Sequence, residues 1–255
     1  MCGRFALTAT PDQTATFLGL AELDEFPARY NIAPTQPILA VLSAGPQAPG
    51  SNRPDRMALL VRWGLIPAWV KETRGFPLLF NARSEGAAEK ASFRAAMRHR
   101  RALVPASGFY EWQQAAGRRG QPYWVRPKRG GLVAFAALVE TYAEPGGSEM
   151  DTCAIMTTDA NADIAHIHER MPVVIEPQDF SRWLDCRRQE PRDVADLLQP
   201  ADPGFFEAVP VSDLVNKVAN TGPEIQQEHD APAIRTAAKP TPRKADPDEG
   251  QMTLF

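Results

Sequence analysis

The chain is 255 residues long, 44% hydrophobic with five Trp, and carries a formal net charge of −3. That suits one large domain or two small ones with a well-filled core, and so small a net charge argues on its own against a nucleic-acid partner. There is no run of about 18 apolar residues and no basic segment leading into an apolar one at the start, so neither a membrane span nor a secretory signal is expected.

Cys2 is the first informative residue of the opening Met1-Cys2-Gly3-Arg4-Phe5. Cysteine is small enough for Met1 to be trimmed, which would expose an amine and a thiol on one carbon skeleton. The amine (pKa roughly 8) condenses with aldehydes. The thiol (roughly 8.5) can then close a thiazolidine ring. The alternative is that Cys2 is an accident of the translation start. Cys2, Cys153 and Cys186 make an odd count without C-x-x-C spacing. This argues against a disulfide framework or structural zinc, and for a reducing cytoplasm.

Strand-like runs follow at Arg4–Thr8, Pro37–Ser43, Met57–Trp63, Ala102–Pro105, Gly108–Trp112, Pro122–Arg126, Leu132–Glu140, Thr152–Thr158 and Met171–Ile175. They are rich in Val, Ile, Leu and aromatics and are bounded by Gly- and Pro-containing turns. Thr10-Pro11-Asp12-Gln13 reads as a helix capping box with Pro at the first helical position. Ser92–Arg100 reads as a helix with Phe93, Ala96 and Met97 inward and Arg94, Arg98 and Arg101 toward solvent. Short Pro-opened helices are predicted at Pro177–Leu184 and Pro191–Leu198. The expected fold is α+β: a single domain with a curled, barrel-like mixed sheet and a few peripheral helices. It spans residues 1–226. Residues 227–255 read as a disordered tail, because 228–250 hold no aromatic and one large aliphatic, Ile234.

Charge is segregated along this order. Residues 53–130 hold 16 Lys and Arg against 5 Asp and Glu, whereas the rest holds 12 against 26. Such a basic third is either a footprint for a polyanion or the solvated face of an ordinary enzyme.

Four segments could carry chemistry: Cys2–Phe5, Asn81–Glu85, Gly108–Trp112 and His166–Pro172. In the third, strand alternation sets Phe109 and Glu111 on one face and Tyr110 and Trp112 on the other. Glu111 is either an acid–base group with a pKa raised by apolar neighbours or an edge glutamate paired with an arginine. His166 and His168 would share a strand face, and a proton-shuttling His168 is favoured over a metal pair. A structural histidine stays open. Asn81 can hold an amine or sugar oxygen, Arg4 and Arg83 suit phosphates, and Trp63 or Trp69 could stack on a base or belong to the core.

Together these segments resemble the SOS response-associated peptidase (SRAP) family, the abasic-site processing proteins. The resemblance is carried in order by Cys2–Phe5, Arg29–Pro34, Trp63–Pro67, Asn81–Glu85, Gly108–Trp112, Ile167–Pro172 and Val215–Lys217. It implies that Cys2 captures the aldehyde of an abasic site in single-stranded DNA as a thiazolidine crosslink. By the same resemblance Asn81 orients the cysteine or sugar, Glu111 moves protons, and His168 assists sugar opening and reversal. Arg4, Asn31, Pro34, Trp63, Trp69, Arg83 and Arg170 would line the DNA groove. No cofactor is implied, and the family's peptidase label refers to cleavage of its own leader at Cys2. Two alternatives are an N-terminal-nucleophile peptidase or hydrolase and a non-covalent single-strand binding module. Gln251, Leu254 and Phe255, at the chain's end, resemble the peptide by which bacterial proteins dock on the replicative sliding clamp. A cytoplasmic, nucleoid-associated bacterial protein is expected.

Overall fold

The computed structural model describes residues 2–45, 51–52, 54–113, 120–144 and 146–229. Beyond 229, the predicted tail and its terminal pentapeptide lie outside the described residues.

Two sheets form the frame. The first is antiparallel, with strand β13 (Phe206–Pro210) at one edge, followed by β8 (Pro122–Pro127), β7 (Gly108–Trp112), β1 (Phe5–Leu7) and β2 (Arg29–Ile32). In the second, β3 (Pro37–Ser43), β4 (Arg56–Trp63), β10 (Glu149–Asp159), β9 (Val133–Ala143) and β6 (Arg101–Ala106) pair in a ring. β6 pairs back onto β3, so the expected barrel-like sheet closes through five strands. Only the β4–β10 pairing in the ring is parallel, which makes the sheet mixed. Three short strands are added outside the ring: β5 (Asn81–Arg83) and β11 (Arg170–Pro172) on β10, and β12 (Val174–Ile175) on β9.

Strand periodicity sorts the ring's side chains onto two faces. Ala40, Ala102, Phe135 and Ile155 pack with Phe5, Phe109 and Val125 of the first sheet. Val41, Leu103, Ala136 and Met156 pack toward helices α1 (Pro11–Leu18), α2 (Arg94–His99) and α3 (Phe180–Leu184). The capping box of α1 forms as its sequence predicts. Thr10 Oγ1 accepts from the Gln13 N–H at 3.2 Å, and Gln13 Oε1 accepts from the Thr10 N–H at 3.0 Å. Among the described residues no helix is long and apolar enough to cross a membrane.

Three expectations are corrected. Arg101 does not face solvent. The backbone turns extended after α2, and the buried guanidinium donates to the carbonyls of Met97, Trp183, Asp185 and Gln189. The run Met171–Ile175 divides between β11 and β12, which pair with different strands. His166 and His168 share no strand face, because the chain turns tightly here, with the Ile167 and His168 N–H groups both bonded to the Ile164 carbonyl. Glu228 bridges Val211, and the His229 N–H donates to the Pro210 carbonyl at 2.9 Å.

Candidate active site

The register of β1 on β7 brings the first residues to Glu111. Phe5 pairs with Phe109 and Ala6 with Gly108, and the Tyr110 N–H donates to the Arg4 carbonyl at 2.8 Å. That bond carries the contact with β7 one residue beyond β1, toward Cys2. On its other side Gly108 lets β7 lie close to β8: a Cβ there would lie 2.4 Å from the Val125 carbonyl oxygen. The predicted alternation holds. Phe109 enters the main core, whereas Tyr110 and Trp112 pack with Ala6 and Trp124 on the opposite face.

Four segments converge at Cys2, whose side chain is fully buried with Sγ 3.8 Å from the Arg4 carbonyl oxygen. Asn81, at the start of β5, donates from Nδ2 to the Cys2 carbonyl at 2.9 Å. Its buried Oδ1 meets no hydrogen-bond donor among the described residues, which leaves an acceptor open next to Cys2. Glu111 is 2% exposed, and its Oε1 lies 3.4 Å from His168 Nδ1. That Nδ1 accepts the Arg170 N–H at 2.9 Å.

Burial sets the protonation of the two buried groups. It pushes the Cys2 thiol far above its ordinary range, and the Glu111 carboxyl adds to the effect. Burial also raises the Glu111 pKa. The site therefore keeps a neutral thiol next to a carboxyl shifted toward neutrality, a pairing suited to passing protons. Among the described residues no three His, Cys, Asp or Glu side chains cluster as metal ligands.

The residues expected in a DNA groove divide. Arg83 is exposed, and Trp69 is 59% exposed beside Phe76. Pro34 is half-buried at a turn. Trp63 is core: it is fully buried, its indole N–H donates to the Phe80 carbonyl, and its ring meets Phe5 and Phe80 edge-on. It has no open face for a base, which corrects the stacking role considered for it. Arg4 is half-buried and donates from Nη1 to Asn31 Oδ1 (2.7 Å) and the Val215 carbonyl (2.8 Å). Asn31 is buried and donates to the Val215, Lys217 and Asn220 carbonyls. Both brace the 215–220 segment, which also supplies Asn216 as acceptor for the Trp112 indole N–H. Arg170 is occupied by Glu85, Asp159 and the Thr157 carbonyl. Sequence reasoning did not single out Asn216, Glu85 or Asp159. Glu85 and Asn216 lie inside motifs it quoted, but nothing in the sequence said which side chains they would meet.

The chain is 36% identical over 232 residues to the abasic site processing protein YoqW of Bacillus subtilis, covering 90% of this chain and all of that one. It is 31% identical over 231 residues to the abasic site processing protein HMCES of Mus musculus, covering 79% of this chain and 65% of that protein. A crystal structure of a Bacteroides thetaiotaomicron protein shares the fold, with a TM-score of 0.74 at 23% identity over 89% of this chain and 100% of that one. Residues 1–218 match the family described as SOS response associated peptidase (SRAP), and the chain belongs to that family.

Proposed function

We propose that this chain processes abasic sites by capturing them in single-stranded DNA, through Cys2 once Met1 is removed, as a covalent thiazolidine. An abasic deoxyribose opens to an aldehyde. The Cys2 amine adds to that carbon and water leaves, giving an imine. Sγ then adds to the same carbon while the thiol proton goes to nitrogen. One aldehyde and one aminothiol thus yield one thiazolidine and one water. Glu111 relays the protons: as an acid it helps the hydroxyl leave as water, and as a base it accepts the thiol proton. Asn81 Oδ1 receives an N–H or O–H of the adduct. His168 assists ring opening of the sugar and later reversal. Arg83 meets phosphates and Trp69 stacks on an unpaired base.

The observation that carries this reading is the burial of Cys2 against Asn81 at 2.9 Å and beside Glu111. Relatives named for abasic-site processing support the substrate. The test compares Cys2→Ser with the wild type on single-stranded DNA bearing one abasic site. Serine keeps the amine but closes only an oxazolidine, which hydrolyses readily, so the heat-stable band should vanish. An equal heat-stable band from Cys2→Ser would refute the thiazolidine. Salt-sensitive binding without any covalent band in either protein would favour a binding module.

Gln251, Leu254 and Phe255 extend the proposal to the replicative sliding clamp, where a short peptide with apolar anchors fits a groove. A peptide of residues 246–255 should bind purified clamp at micromolar strength, measured by fluorescence anisotropy. Leu254→Ala with Phe255→Ala should abolish that binding and leave crosslinking intact. Clamp binding that survives this double change would place the contact elsewhere.

A further inference from the structure

The segments carrying Asn81 and His168 flank a single strand. β5 pairs with β10 through Met156↔Ala82 and Thr157↔Arg83, and β11 pairs with it through Thr158↔Met171 and Asp159↔Arg170. Glu85 lies two residues past β5, and Arg170 opens β11. Their side chains meet in a two-pronged ion pair: Arg170 Nη1 donates to Glu85 Oε1 at 2.7 Å and Nη2 to Oε2 at 3.0 Å. The same guanidinium donates to Asp159 Oδ1 at 2.6 Å and to the Thr157 carbonyl at 2.7 Å. The backbone N–H of this arginine is the donor to His168 Nδ1. A ring nitrogen that accepts has no proton, so the neutral imidazole carries its proton on Nε2. Glu111 Oε1, 3.4 Å from that Nδ1, therefore receives no proton from it.

We infer that Glu85 is a positioning residue: by clamping the Arg170 guanidinium it holds the Arg170 N–H on His168 Nδ1 and so fixes the imidazole tautomer that faces Glu111. Two parallel bonds from one carboxylate set the plane of a guanidinium as well as its place. Asp159, 81% exposed, touches Nη1 and the Thr157 carbonyl touches Nη2, so among the described residues Glu85 is the one partner that grips both nitrogens. The Glu85 carboxylate is itself half-exposed, and such a pair adds little to global stability. Its effect is geometric. It also ties the segment that holds Cys2 through Asn81 to the segment that carries His168. The kinetic consequence rests on the crosslinking reaction proposed above; the tautomer does not.

The test uses the full chain with 15N-labelled histidine, without DNA, assigning the His168 ring signals by their loss in His168→Ala. The wild type should show one tautomer, with Nε2 protonated. Glu85→Gln should show both tautomers and form the adduct about tenfold more slowly, as expected for a misplaced catalytic group. Its affinity for single-stranded DNA should be unchanged, and Glu85→Asp should be intermediate. A wild type protonated at Nδ1, or a Glu85→Gln protein that keeps the wild-type tautomer, would overturn the inference, even if melting changed. If Glu85→Gln does not fold, Arg170→Lys takes its place with the same two outcomes. Failure of the wild type to form any adduct would overturn the crosslinking reading and leave the tautomer comparison to decide this one.

Discussion

Burial acts on Cys2 and Glu111 in the same direction, raising the pKa of both. For the thiol this means that attack on the imine needs a base close by. For Glu111 it means a carboxyl able to be acid in one step and base in the next. The raised pKa has a cost that can be measured. Between the unfolded carboxyl pKa of about 4.3 and its higher folded value, the native state binds more protons than the unfolded state. Stability contributed by this group is thus complete below the unfolded value and falls as pH rises through the folded one. Glu111→Gln should match the wild type in urea denaturation at acidic pH, exceed it above that window, and slow adduct formation about 10²–10⁴-fold. A variant less stable than the wild type at neutral pH would make Glu111 a structural residue. The neighbours of Glu111 were legible because strand alternation is local. Arg4 and Arg170 were not, because their partners lie far along the chain: Asn31 is 27 residues from Arg4, and Glu85 is 85 residues from Arg170.

At the scale of elements, long apolar strands such as β3 and β9 could be placed from composition. Strands β2, β5 and β13 could not. Arg29–Ile32 and Asn81–Arg83 are short and polar, and Phe206–Pro210 ends in proline; pairing with neighbours makes them strands, not propensity. β5 matters most, since its first residue delivers Asn81 to Cys2. The two tryptophans of Trp63–Trp69 show what a motif alone leaves open. Trp63→Ala should cost about 3–5 kcal/mol, as for a buried aromatic cut to alanine. Trp69→Ala should change stability by no more than about 0.5 kcal/mol and weaken single-strand binding by about 1–3 kcal/mol. Denaturant titration and fluorescence binding would separate them. Equal destabilisation by both substitutions would remove Trp69 from the proposed groove.

Across the whole molecule, the closed ring and the antiparallel sheet bring four distant segments to one point. The sequence shows those segments in order, but the ring is closed by contacts such as β6 on β3 that no local pattern encodes. The charge segregation also takes on another meaning in three dimensions. Arg98, Arg100 and Arg126 of the basic third pair with Glu190, Asp151 and Glu207 of the acidic remainder. Part of the imbalance is therefore complementarity within the fold, and only exposed groups such as Arg83 remain for phosphates. The central claim, capture through the Cys2 aminothiol, is tested most directly by mass. Full-length protein lacking Met1 is mixed with an oligonucleotide carrying one abasic site, and the intact adduct is weighed and mapped. The account predicts the summed masses less one water, unchanged by borohydride, with the DNA remnant on Cys2. An adduct on a lysine, or one that gains hydrogen on borohydride treatment as an imine would, contradicts it.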